Sequence, residues 1–196
     1  MKSRGKGISL KLPSSESGFS MLEVIVAILT ITAFLTGTLQ LMAFTALYKV
    51  RATRQTQANF WIQEDFESVK ALASTLDVSS SPDYVSSDVC TDGYATALRR
   101  ELTETPLSEI TIPTEQLVVV EIPGQETPDE FKKFVGKNYS LYRTFNITNQ
   151  ANHPHRLRID YRVEATDETP KDYPNQEDVI AESSVEVIPD ASFKCR

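Results

Sequence analysis

The chain has 196 residues, two cysteines and a formal net charge of −7. That length leaves room for one membrane or filament helix and one modest soluble domain. Up to Gly18 the sequence sets Lys2, Arg4, Lys6 and Lys11 against Glu16, a net of +3, so the remainder carries −10. This acidic balance argues against a broad nucleic-acid footprint, which needs clustered Lys and Arg.

Residues 1 to 17 are basic and polar, with Gly5, Gly7, Pro13 and several serines, and they carry no apolar period. Phe19 then opens a hydrophobic segment with one carboxylate, Glu23, a single helical turn inside it. From Val24 to Tyr48 the 25 positions hold no charge. As a helix they would extend roughly 37 Å, enough to cross a hydrocarbon core of about 30 Å. A carboxylate near the end of such a helix is expensive to bury and asks for a reason. An ordinary secretory signal places its apolar region before the cleavage point. Here the small residue that looks like a cleavage point, Gly18, comes first, so cutting there would remove the charged leader and keep the helix.

Thr30, Thr32, Thr36, Thr38 and Thr45 make the span rich in hydroxyls, and Gly37 is its weakest helix former. Threonine can bond back to a carbonyl one turn earlier and bend a helix. Two readings stand side by side: a locally soft helix around Thr36–Thr38, or close helix packing at Ala33 and Gly37.

Beyond Lys49 the helical pattern continues. Ala58, Ile62, Phe66, Val69, Ala73 and Leu76 form one apolar stripe, and Arg51, Arg54, Gln55, Gln57, Gln63, Glu64, Glu67 and Lys70 fill much of the rest. Trp61 falls beside the stripe, as a packing residue at the edge of the core. The helix is expected to end near Asp77, before Ser79-Ser80-Ser81-Pro82-Asp83. Residues 77 to 116 read as a long connection with a short helix over Ala95–Leu102. Four strands are expected, over Gln116–Ile122, Ser140–Thr148, Arg156–Ala165 and Val179–Ile188, the middle two joined by a hairpin loop at Asn149–Pro154. Leu157, Ile159, Tyr161 and Val163 alternate with Arg158, Asp160 and Arg162, so one sheet face is buried and the other wet. Thr166–Asp178, acidic and holding Pro170 and Pro174, reads as an exposed loop. The expected class is α+β: a long N-terminal helix laid on an antiparallel sheet of about four strands.

Gly18-Phe19-Ser20-Met21-Leu22-Glu23, with the apolar run from Val24 to Leu29, resembles the cleavage and methylation motif of type IV prepilins and pseudopilins. The resemblance is close over about residues 14 to 48 and extends in general character to about 76. Ser20 and Met21 depart mildly from the commonest residues, and the proline often found midway along the pilin helix is absent. The resemblance implies a prepilin peptidase cutting the Gly18–Phe19 bond and N-methylation at Phe19. It also implies that Glu23 is needed for ordered assembly. In a helix the Phe19 amine and the Glu23 carboxylate share a face, so within or between subunits each lowers the cost of burying the other. The implied organisation is a leader over 1–18, a transmembrane or filament-core helix over 19–48, its amphipathic continuation over 49–76 and an extracytoplasmic domain over 77–196.

Lys49, Arg51 and Arg54 follow the apolar span, so charge bias alone does not orient it. The resemblance places the leader in the bacterial cytoplasm, the helix in the inner membrane, and the rest in the periplasm and then on a filament. Implied partners are the peptidase, other subunits of the filament and the inner-membrane assembly platform. A plain signal anchor displaying an extracytoplasmic binding module is the alternative. Cys90 and Cys195 lie on the exported side under either reading, where a disulfide is the natural state and two free thiols the other option.

Other signals carry less. His153 and His155 flank Pro154 with no third metal ligand placed by spacing. Asp83, Asp88, Asp92 and the acidic Thr166–Asp178 loop could offer oxygens to calcium, but their spacing matches no compact loop. Asn138-Tyr139-Ser140 and Asn146-Ile147-Thr148 fit a glycosylation sequon. The sequence has no phosphate-binding Gly-rich loop, nucleophile elbow or convincing acid–base pair, so neither catalysis nor a cofactor is expected.

Overall fold

No proline falls between Met21 and Thr75, and the computed structural model of the chain, which describes residues 20–120, 130–166 and 178–195, holds one helix over that span, α1. The chain divides into two units between Leu47 and Tyr48. In the second unit, α1 gives way to two short helices, α2 over Val89–Asp92 and α3 over Tyr94–Leu102, and then to the sheet. Gly93 separates α2 from α3 at φ +95°, and a Cβ there would stand 2.2 Å from the Pro154 carbonyl oxygen, so only glycine fits.

Among the described residues the sheet has five antiparallel strands: β1 Glu115–Val118, β2 Lys132–Phe134, β3 Lys137–Asn146, β4 Leu157–Ala165 and β5 Val179–Val187. β3 is flanked on one side by β4, with β5 beyond it. On its other side β1 pairs with Leu141–Thr144 and β2 with Lys137–Tyr139, so two short strands share one edge. Leu141, Phe145, Ile159, Tyr161 and Val163 are buried on the inner face together with Ala58, Trp61, Ile62, Val69, Ala73 and Leu76 of α1. A five-residue 3-10 turn, Asp190–Lys194, closes the described chain, and Cys195 after it is bonded to Cys90 in α2.

The α+β architecture is as the pattern predicts, with three corrections. Among the described residues the sheet has five strands where about four are expected: β2 is hidden because it is three residues long and two of them are lysines. The first predicted strand ends at Val118, with Val120 in an isolated bridge, and its Glu121 and Ile122 lie outside the described residues. The expected stripe is buried at Ala58, Ile62, Val69, Ala73 and Leu76, but it is broadened on one side by Arg54, Trp61 and Asp65. Trp61 is a core residue, edge-on to Phe134 at 5.8 Å, with the Lys132 ammonium 5.1 Å above its ring. Phe66 is only partly buried.

The broadening has a polar cause. Arg54 and Asp65 read as surface residues by type, but each has a partner on the sheet side. Asp65 forms a two-pronged ion pair with Arg143 of β3, through Arg143 Nε at 2.7 Å and through Nη2. Arg143 Nη1 also donates to Gln116 Oε1 at 3.1 Å, and Gln116 Nε2 donates to the Leu102 carbonyl at 2.6 Å. One polar line therefore ties α1, β3, β1 and α3. Burial, and then the facing Asp65 carboxylate, push the Tyr161 hydroxyl well above the ordinary tyrosine range and keep it neutral. Arg54 Nη2 donates to the Val135 carbonyl at 3.0 Å.

Val135 and Gly136 form the two-residue turn between β2 and β3, with φ of 42° and 84°. Positive φ at both positions suits a hairpin turn, but a β-branched residue there is strained. Replacing Val135 with Asn should therefore stabilise the domain by about 1 kcal/mol in chemical denaturation followed by Trp61 fluorescence. Arg143→Ala should do the reverse, losing about 3–5 kcal/mol because Asp65 stays buried without its partner.

Candidate functional site

The stretch that sets this chain apart chemically is the first half of α1. The Ser20 carbonyl accepts from the Glu23 N–H at 2.9 Å and the Val24 N–H at 3.3 Å, so the helix begins at the residue after Ser20. Glu23 sits in the first turn, where the exposed N–H groups favour a negative charge. Of the residues singled out with it, Gly18 and Phe19 lie outside the described residues.

From Met21 to Lys49 no side chain is buried, although most are large and apolar. Met21, Leu22, Phe34, Leu39, Met42 and Tyr48 each expose about two-thirds or more of their surface. Soluble proteins rarely show contiguous apolar surface on this scale, and where they do it marks a lipid or protein contact. α1 is long and apolar enough to cross a membrane by length and composition, and none of its most apolar window is buried.

The hydroxyls on this segment are satisfied within it. Thr30 donates to the Val26 and Ala27 carbonyls, Thr32 to Ile28, Thr36 to Thr32, Thr38 to Leu35 and Thr45 to Leu41, at 2.5–3.0 Å. Back-bonding of this kind hides the polar group without a neighbour. The helix runs through Thr36, Gly37 and Thr38 without interruption. A Cβ built on Gly37 meets nothing within 4 Å, so the fold of this chain places no steric demand for glycine there.

The remaining sequence candidates lie in the second unit. Cys90 and Cys195 are joined, with Cα atoms 5.4 Å apart at a sequence separation of 105, which encloses the whole sheet. His155 Nδ1 accepts from the Tyr94 N–H at 3.3 Å, and the His153 N–H donates to the Asn149 and Gln150 carbonyls, so both serve the β3–β4 loop. Asp92 accepts from Ser86 Oγ at 2.7 Å, and the Asp88 carbonyl takes the Thr91 and Asp92 N–H groups. Among the described residues no three His, Cys, Asp or Glu side chains gather in a way that could hold a metal ion. Most of the Thr166–Asp178 segment lies outside the described residues. Asn138 and Asn146 of the two sequons sit within β3.

Sequence reasoning missed the Asp65–Arg143–Gln116 line. Its signal was the i, i+4, i+7 spacing of Ala58, Ile62 and Asp65, which puts a carboxylate on the buried stripe, together with Arg143 at an inward-facing strand position. Comparison with protein-family models, with curated proteins and with solved structures gives no significant match.

Gly37→Ala isolates the requirement at that position. In the free chain, held in detergent micelles, it should raise helix stability by about 0.5–1 kcal/mol by circular dichroism, since alanine is the better helix former and has room.

Proposed function

We propose that this chain is a structural subunit of a type IV pilus or type II secretion-like filament, a minor pilin or pseudopilin. The observation that carries the reading is an exposed, uncharged helical segment headed by Glu23 and continuing as the spine of a sheet domain. A helix of that composition has two stable environments, lipid and a bundle of similar helices. In this reading a prepilin peptidase cuts after Gly18 and Phe19 becomes the methylated N-terminus. Before assembly the chain spans the bacterial inner membrane once, leader inside and sheet domain in the periplasm. It then passes through the assembly platform into a filament with other subunits.

Glu23 is central to this proposal. A lone carboxylate entering an apolar bundle is costly, whereas one facing the ammonium of Phe19, its own or a neighbour's, is compensated. The charge therefore acts as a register mark: misplaced subunits leave it unpaired.

Mass spectrometry of the mature protein tests the processing step. A chain beginning at methylated Phe19 is the expected result, and an intact leader would instead favour a single-pass anchor displaying a binding module. Glu23→Ala tests assembly. Membrane insertion and cleavage should be unchanged, while incorporation into sheared filaments falls by about tenfold or more, the loss expected for one unpaired charge of about 1.4 kcal/mol or greater. Incorporation at the wild-type level would overturn the assembly role.

A further inference from the structure

The two edges of the sheet are built differently. One is broken into β1 and β2, with Ser140 Oγ donating to the Glu130 carbonyl at 2.9 Å beside the break. The other is β5, nine residues that pair with β4 on one side and with no strand on the other among the described residues. Ala181–Val187 keep an unbroken register with Leu157–Val163, after one irregularity at Val163/Glu164. Such an edge presents a row of backbone donors and acceptors, which proteins usually guard with Pro, Lys or short length.

β5 has none of these guards. From Asp178 to Asp190 there are four carboxylates, Asp178, Glu182, Glu186 and Asp190, and no cation. The arginines of the outer sheet face are already engaged, two of them with β5 itself, and none with Glu182. Arg158 holds Asp160 at 3.2 Å and Ser184 at 3.0 Å, and Arg156 lies 3.3 Å from Glu186. Arg162 is the cross-strand neighbour of Glu182, yet it turns to Glu115 at 3.2 Å and Glu164 at 3.3 Å. Glu182 is thus exposed and has no ion-pair partner among the described residues. Beside it opens a cleft of about 730 Å³ lined by Gln55, Glu164, Asp178, Ile180 and Glu182 among others, with no cation among the described residues of its wall.

We propose that β5 is a docking strand for an extended, cationic segment of another protein, which adds to the free edge and sets a Lys or Arg against Glu182. Backbone pairing would supply the affinity and alternate side chains the specificity. Residues opposite one another on neighbouring strands share a face, so the partner needs a cation opposite Glu182 and small apolar residues opposite Ala181 and Val185. A second copy of this chain is a poor occupant, because β5 against β5 brings carboxylates together. The acidic side chains therefore repel self-association while admitting a basic partner. The proposal rests on the sheet alone and is independent of the filament reading.

The probe is a short fluorescent peptide of alternating Lys and Val, titrated into the full chain in detergent micelles and read by anisotropy. Saturable binding is expected, weakened about tenfold or more by Glu182→Lys and by high salt, and absent for the matching Glu–Val peptide. Methylating alternate backbone nitrogens of the Lys–Val peptide keeps its charge but removes its donors, and binding should be lost. Equal binding by the methylated peptide or to the Glu182→Lys protein would overturn the proposal, as would no binding of the Lys–Val peptide.

Discussion

The sheet domain depends on one buried ion pair. Asp65 is on a helix whose neighbours are apolar, and Arg143 is on the inner face of the central strand β3, between Leu141 and Phe145. Neither charge would be stable there alone, since an unpaired buried ion costs several kcal/mol. Together, and with Gln116 taking a further guanidinium N–H, they fix which face of α1 meets the sheet and at what height along it. Apolar contacts cannot do this as sharply: sliding a helix by one turn exchanges one small or aliphatic side chain for another, whereas it leaves both charges orphaned. The pair sets register more than it adds net stability.

That constraint also explains where the sequence could be read and where it could not. The helix, the wet and dry faces of β4, the hairpin and the apolar span are legible because each is a periodicity, and periodicities survive without knowledge of the tertiary neighbours. Arg54 is misassigned to the wet side and Asp65 passes unnoticed because residue type alone assigns a charge to solvent, and their partners, Val135 and Arg143, lie 81 and 78 residues away. β2 escaped because its turn uses Val135 in place of Asn or Asp, so the local signal of a tight hairpin was missing. The Cys90–Cys195 bond, by contrast, was legible from simple pairing arithmetic, since only one intramolecular partner exists for each thiol.

The disulfide and the ion pair act at different places. The ion pair holds the helix against the middle of the sheet. The disulfide ties the 3-10 turn after β5 to α2, which Gly93 joins to α3 against the Pro154 carbonyl. Lys194 also reaches Asp77 at 3.4 Å, an exposed contact that contributes little by itself. The outer strand β5 is therefore anchored at its C-terminal end, while no strand among the described residues pairs with its outer edge.

The threonines of the apolar segment carry a last consequence. Because every one of their hydroxyls is closed onto a carbonyl of its own helix, the segment shows its surroundings almost nothing but carbon. In the filament reading proposed above, moving it from lipid into a bundle of helices would then require no exchange of partners by these hydroxyls. On that proposal, the polar features that would distinguish the two environments reduce to the Gln40 amide and the Glu23 charge at the helix start, so the transfer would be close to reversible until that charge found its counterpart.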